Sequence, residues 1–178
     1  MFLSVKELEL GKIQFDLHLA PGTFDLRPGE LMQPKPVHVS GEAEYRPSTA
    51  QIRLRGQLSG EVECACDRCL ERFAVPVSTP FDLVYEPPEH APEKAEVSLT
   101  ADDVDVAFYD HGGLELADAV REQILLLLPM QRLCRESCQG ICPECGINRN
   151  EQQCHCSQPR TEERWAALRD YHPSRVHK

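Results

Sequence analysis

Residues 134–156 read CRESCQGICPECGINRNEQQCHC. Six cysteines in 23 residues fall into three pairs: Cys134 and Cys138, Cys142 and Cys145, Cys154 and Cys156. A fourth pair, Cys66 and Cys69, stands upstream in CDRCLERF at residues 66–73, and Cys64 is the odd ninth. Closely spaced thiols in a chain without a secretion signal point to metal ligands or redox centres before disulfides. The first ten residues, MFLSVKELEL, carry Lys6, Glu7 and Glu9 and no apolar run ahead of a cleavage site, so a cytoplasmic, reducing location is expected.

A tetrahedral sulfur site takes two ligands from one tight turn and two from another. Cys142-Pro143-Glu144-Cys145-Gly146 resembles the turn of a zinc ribbon, where a glycine takes a positive φ and lets backbone amides face the thiolates. Four pairs suggest two four-cysteine sites. The easiest partition puts Cys142, Cys145, Cys154 and Cys156 on one ion, with only eight residues between the pairs. The other ion would take Cys66, Cys69, Cys134 and Cys138, clipping a hairpin turn to a distant segment. Three alternatives stay open: one site of Cys134, Cys138, Cys142 and Cys145, an iron–sulfur cluster, or thiol redox chemistry at Cys66 and Cys69, with Arg68 lowering a pKa. Cys64 shares strand phase with Val62 and reads as a small core residue. His155 lies between two candidate ligands and reads as a solvent-facing neighbour rather than a ligand.

Upstream, the pattern is that of strands. KIQFDLHL at residues 12–19 alternates apolar and polar, as a half-buried strand does. A Pro/Gly-rich loop follows between Pro21 and Pro36, then strands around Val37–Tyr45, Ile52–Leu58 (running on toward Val62) and Phe73–Tyr85, the last interrupted near Pro80. Neighbours in sequence pair antiparallel most economically. Residues 86–98 are acidic and Pro-rich and read as an exposed loop, and Val104, Val106 and Phe108 as a short strand. One strong helix carries Leu116, Ala119, Val120, Gln123, Ile124, Leu127 and Leu128 on one face, and Pro129 stops it. A last helix runs from about Glu162 to Asp170, capped by Thr161 and docking through Trp165 and Leu168.

The expected fold is therefore α+β: an antiparallel, partly barrel-like sheet covered by one main helix over residues 1–130, with a cysteine-rich, zinc-binding module and tail helix over 131–178, packed on that body. Two zinc ions are expected.

Net charge is −10, unevenly spread. Residues 131–178 hold eight Lys/Arg against six Asp/Glu, a balance of +2 that leaves −12 on residues 1–130. The body should repel a polyphosphate chain, which confines RNA contact to Arg132, Arg135, Arg149 and the tail. No phosphate-binding loop, nucleotide fingerprint, nucleophile elbow or HExxH motif occurs. Asp102, Asp103 and Asp105 lack the spacing of a calcium loop. The remaining histidines, His18 and His38 among them, read as scattered surface residues. Sulfur-rich closed sites hold structure, so the chain is expected not to be an enzyme.

Three segments together resemble the YceD family of bacteria and plastids: CDRCLERF, REQILLLLPMQRLC at residues 121–134, and CQGICPECGINRNEQQCHC ahead of a tail with Trp165. The resemblance covers roughly residues 50–171. It implies a role in ribosome production, through accumulation of large-subunit ribosomal RNA, with ribosomal or precursor RNA or an assembly protein as the expected partner. A thiol-based redox protein or a zinc-dependent protein-interaction adaptor is the alternative. The short apolar runs and missing motifs leave neither a membrane nor a small-molecule substrate expected. Cys66 and Cys69 match the family's central pair, and the other six paired cysteines its carboxy-terminal set. Cys64 matches nothing in it, and it supplies no catalytic residue.

Overall fold

The computed structural model describes residues 1–24, 26, 31–90, 106–110 and 112–156. The expected tail helix with Thr161, Trp165 and Leu168, most of the expected acidic loop at residues 86–98, and Asp102, Asp103, Val104 and Asp105 lie outside the described residues.

The elements in order are β1 (Phe2–Ser4), α1 (Val5–Leu8), β2 (Ile13–Leu19), β3 (Leu31–Met32), β4 (Val37–Arg46), β5 (Gln51–Ala65), β6 (Arg72–Glu86), a short 3-10 turn (Pro88–His90), β7 (Val106–Phe108), β8 (Gly113–Glu115) and α2 (Leu116–Leu127). The main sheet runs β2-β4-β5-β6-β7, with β3 also pairing with β5. β1 and β8 form a separate two-stranded sheet. The fold is mostly sheet with one main helix. The sheet is open, not curled into a barrel: β2 and β7 end the strand path.

The pairing is not wholly antiparallel either. β7 lies parallel to β6, with Val84 opposite Val106, an arrangement that a tight hairpin turn cannot make. β6 runs unbroken through Pro76 and Pro80. Among the described residues, both prolines sit where β6 has β5 on one side only, since β7 pairs only with residues 84–86. A proline nitrogen turned toward an unpaired edge breaks no ladder bond.

Alternation sets the two faces of the sheet. Val37, Val39 and Ala43 of β4, Ile52, Leu54, Leu58, Val62 and Cys64 of β5, and Val77, Phe81 and Tyr85 of β6 are all buried. The opposite face carries ion pairs: Lys12 with Glu44, and Arg53 and Arg55 with Asp82. Leu116, Ala119, Val120 and Ile124 of α2 join the same core. In the last turn the stripe drifts to the half-buried Leu125 and Leu128 while Leu127 is exposed, since each four-residue step advances the face by about 40°. Leu128 is already extended (φ −70°, ψ 134°), as the residue before a proline must be.

The Pro/Gly segment after β2 is more than a surface loop. Phe24, Leu26 and Leu31 are in the core, and buried Gln33 donates through Nε2 to the Leu19 carbonyl at 2.9 Å. Cys64 is fully buried between Leu31 and Phe73 on the flanking strands, as its strand phase required.

Candidate metal centres

The β5–β6 hairpin turn presents Cys66 and Cys69, and the chain leaving α2 brings Cys134 and Cys138 against it. The Cys66 and Cys138 sulfurs lie 3.8 Å apart and those of Cys69 and Cys134 3.7 Å apart. All four sulfurs fall within 4.8 Å of one another. Cys142, Cys145, Cys154 and Cys156 form a second such group. Four sulfurs at about 2.3 Å from a tetrahedral ion stand roughly 3.8 Å from one another. The closest approaches match that separation and are far beyond the ~2.05 Å of a disulfide. Each cluster can therefore hold a metal ion, and the partition is the one that pairs the hairpin with residues 134–138. His155 is exposed and outside both sets.

The two CxxC turns share one backbone design despite different sequences. Leu70 N–H donates to the Cys66 carbonyl and Gly146 N–H to the Cys142 carbonyl, both at 2.9 Å. Cys66 N–H donates to the Glu71 carbonyl at 2.9 Å, and Cys142 N–H to the Ile147 carbonyl at 2.8 Å. The residue after the second cysteine has positive φ in both, 64° at Leu70 and 74° at Gly146. A left-handed backbone costs a residue with a Cβ about 1–2 kcal/mol, and glycine escapes it. Leu70 is largely exposed and gives up little packing. Leu70→Gly should therefore stabilise the metal-loaded protein by about 0.5–1 kcal/mol after the added chain entropy is offset. Gly146→Leu should cost about 1–2 kcal/mol. Thermal denaturation of both variants checks the opposite signs, and a destabilised Leu70→Gly would mean that the leucine side chain is needed.

Backbone donors prepare the sulfurs. Burial pushes the Cys66 thiol up, but the amides of Cys134, Cys69 and Arg68 outweigh it and bring the pKa down to about 6. The amides of Cys145 and Glu144 likewise bring Cys142 down to about 6. In each cluster another thiol goes the other way. Burial drives Cys69 up to about 12, and the neighbouring Cys145 sulfur drives Cys156 up to about 12. Negative charge readily occupies part of each cluster and resists filling it, which is the behaviour of a donor set that needs a cation at its centre.

The two clusters touch through a shared hinge. Asn150, in the loop between Cys145 and Cys154, donates through Nδ2 to the Cys138 sulfur at 3.4 Å and accepts from Gln139 N–H at 2.9 Å. Arg68 donates to the Cys138 carbonyl at 3.0 Å, and its own carbonyl accepts from Ile141 N–H at 3.0 Å. Gly140 passes so close that a Cβ there would meet the Arg68 carbonyl oxygen at 2.9 Å. Asp67 takes Arg132 twice, from its backbone N–H at 2.7 Å and from its guanidinium at 3.1 Å. Arg132 is thus bound into the first centre. Asn150 carried no sequence signal, because only the folded loop brings it to the sulfur.

The structure also joins two histidines that sequence reading left scattered. His18 faces His38 across β2 and β4, with stacked rings 4.6 Å apart. No described helix is long and apolar enough to cross a membrane.

Among known proteins, uncharacterized proteins of Mycobacterium tuberculosis and Mycobacterium bovis are each 23% identical over 117 residues, 66% of this chain and 54% of theirs. The chain spans about half the length of these curated relatives. No solved structure matches it. Residues 54–171, which hold every cysteine of both clusters, match the family described as large ribosomal RNA subunit accumulation protein YceD, and the chain belongs to that family.

Proposed function

We propose that this chain is a zinc-stabilised, non-enzymatic accessory factor in ribosome biogenesis that promotes accumulation of large-subunit ribosomal RNA in the cytoplasm. The observation that carries this reading is the coincidence of the family match with the whole of both cysteine clusters. Zinc is favoured over a multi-iron cluster because four sulfurs within 4.8 Å of one another, the closest 3.7–3.8 Å apart, suit a single tetrahedral ion, and a closed site leaves no open position for a substrate. Cys66, Cys69 and Cys138 are buried, which suits a structural role better than thiol exchange.

The partner that fits the body is a basic assembly protein. Residues 1–130 carry −12. A cleft of about 290 Å³ beside α2 is lined by Asp110, Glu115, Asp118 and Glu122 together with Phe2 and Phe108. Carboxylates around exposed aromatic faces suit lysine and arginine side chains, through charge and cation–π attraction. Direct RNA contact falls to the module around Arg135 and Arg149.

Loss of the gene should lower the ratio of large- to small-subunit ribosomal RNA in the parent organism. The wild-type chain should restore that ratio, and a Cys69→Ser chain should not. An unchanged ratio on deletion would overturn the proposal. Direct binding assays separate the routes: binding to purified large-subunit ribosomal RNA that weakens steeply between two salt concentrations marks a phosphate footprint, and capture of basic large-subunit assembly proteins with no binding to the purified RNA marks the protein route.

A further inference from the structure

We propose that Asp16, His18 and His38 form a third metal site, separate from the cysteine clusters, on the open face of the main sheet. It would take a borderline divalent ion such as zinc, nickel or copper.

The register places the three residues together. His18 of β2 stands directly opposite His38 of β4. Asp16 precedes His18 by two residues and so points to the same face. The rings stack with centroids 4.6 Å apart and an interplanar angle of 26°. His38 Nε2 lies 2.8 Å from Asp16 Oδ1. One ligand atom from each residue lies within 4.8 Å of the other two.

The scaffold beneath is rigid. Phe15 of β2 and Val37 and Val39 of β4 are buried on the reverse of the same strands, and β2 and β4 pair over seven consecutive residues. The three side chains thus project from a fixed ladder and not from a loop. Ligand atoms about 2.0–2.2 Å from an ion need to be roughly 3.4 Å apart in a tetrahedral site. Small side-chain rotations bring the histidines and the carboxylate to that spacing, with the ion replacing the His38–Asp16 hydrogen bond.

The donor set selects the ion. Two imidazoles and one carboxylate suit zinc, nickel and copper and disfavour magnesium and calcium, which prefer oxygen-only shells. Three protein ligands leave at least one position for water or an outside donor. The His38 and Asp16 side chains are 37% and 74% exposed, so the ion should exchange readily, unlike one held within the buried first cluster.

The probe is zinc alone, added to the full chain already loaded at its cysteine clusters, with bound metal counted by equilibrium dialysis at low-micromolar free zinc. Wild type should take up one further, exchangeable equivalent. His18→Ala with His38→Ala should abolish it, each single change should weaken it roughly tenfold or more, and Asp16→Asn should weaken it while keeping the histidine pair. Magnesium should not compete. Cys145→Ser should lower the total count yet retain the extra equivalent, which separates this site from the cysteine reading. All three side chains face solvent, so thermal melts of the metal-free sheet face variants should stay near wild type. No extra equivalent in wild type, or one that survives the double histidine change, would overturn the proposal.

Discussion

With both clusters loaded with zinc as proposed, Cys69→Ser should release one ion and bring down the whole fold, whereas Cys145→Ser should release the other and leave the body standing. The asymmetry follows from what each cluster ties together. The first joins the β5–β6 turn to the chain beyond α2, segments more than 60 residues apart. The second closes a short loop within residues 142–156. Structural zinc contributes an apparent ~10–16 kcal/mol at neutral pH, and a domain's entire stability is about 5–15 kcal/mol. Even a fraction of the metal's share, lost from the long-range tie, shifts the balance for residues of β5 and β6. Loss of the local tie unravels a loop. Metal content by elemental analysis, with melting curves for the sheet, checks both halves. Equal melting of the two variants, or loss of both ions from either, would contradict independent centres of unequal reach.

A weaker coupling accompanies this. Asn150 reaches from the second cluster's loop to the Cys138 sulfur. Freeing that loop in Cys145→Ser withdraws a hydrogen bond from a ligand of the first ion, and such outer partners are worth about 10–100-fold in metal affinity. The first centre of Cys145→Ser should therefore yield its zinc to a competing chelator at roughly tenfold lower chelator strength than wild type.

The sequence made the cysteine partition legible because spacing within each pair limits how far two sulfurs can separate, and loop length limits which pairs can meet. Cys64 was legible from strand phase, and the end of α2 from Pro129. Other features depend on register, which no local pattern encodes. His18 and His38 are 20 residues apart, and only the pairing of β2 with β4 makes them neighbours. β3 was hidden among the prolines and glycines after β2, and two residues beside Cys64 are too few for a periodic signal. Pro80 looked like a break because a proline interrupts a ladder only when its nitrogen faces a partner, and the edge position of β6 was not visible in its own residues.

Register also explains two glycines, and through them the second large effect. Phe15, Gly41, Gly56 and Phe81 stand in one row across β2, β4, β5 and β6, each opposite the next. The row lies on the core face, and the two phenyl rings close over the paired glycines. A Cβ on Gly41 would sit 2.1 Å from the Arg55 carbonyl oxygen, 2.7 Å from the Gly56 Cα and 2.9 Å from the Phe15 ring. A Cβ on Gly56 would sit 2.3 Å from the Ser40 carbonyl oxygen and 2.8 Å from the Phe81 ring. Backbone, not the tip of a flexible side chain, blocks both positions, so β4 and β5 must shift to admit a methyl group. Overpacking of this kind costs about 1–3 kcal/mol and sometimes more; with backbone to move, Gly41→Ala should reach about 3 kcal/mol, a fall in melting temperature of roughly 6–12 °C for a chain this size. Gly56→Ala should behave alike, and the double variant should cost less than the sum, because one strand shift relieves both clashes. The contrast is Gly22→Ala, where no atom lies within 4 Å of the added Cβ and only the positive φ of 76° is at stake. Its cost should stay near 1–2 kcal/mol. If Gly41→Ala melts as wild type does, the close approach of β4 to β5 is not what the glycines serve, and the aromatic row has another cause.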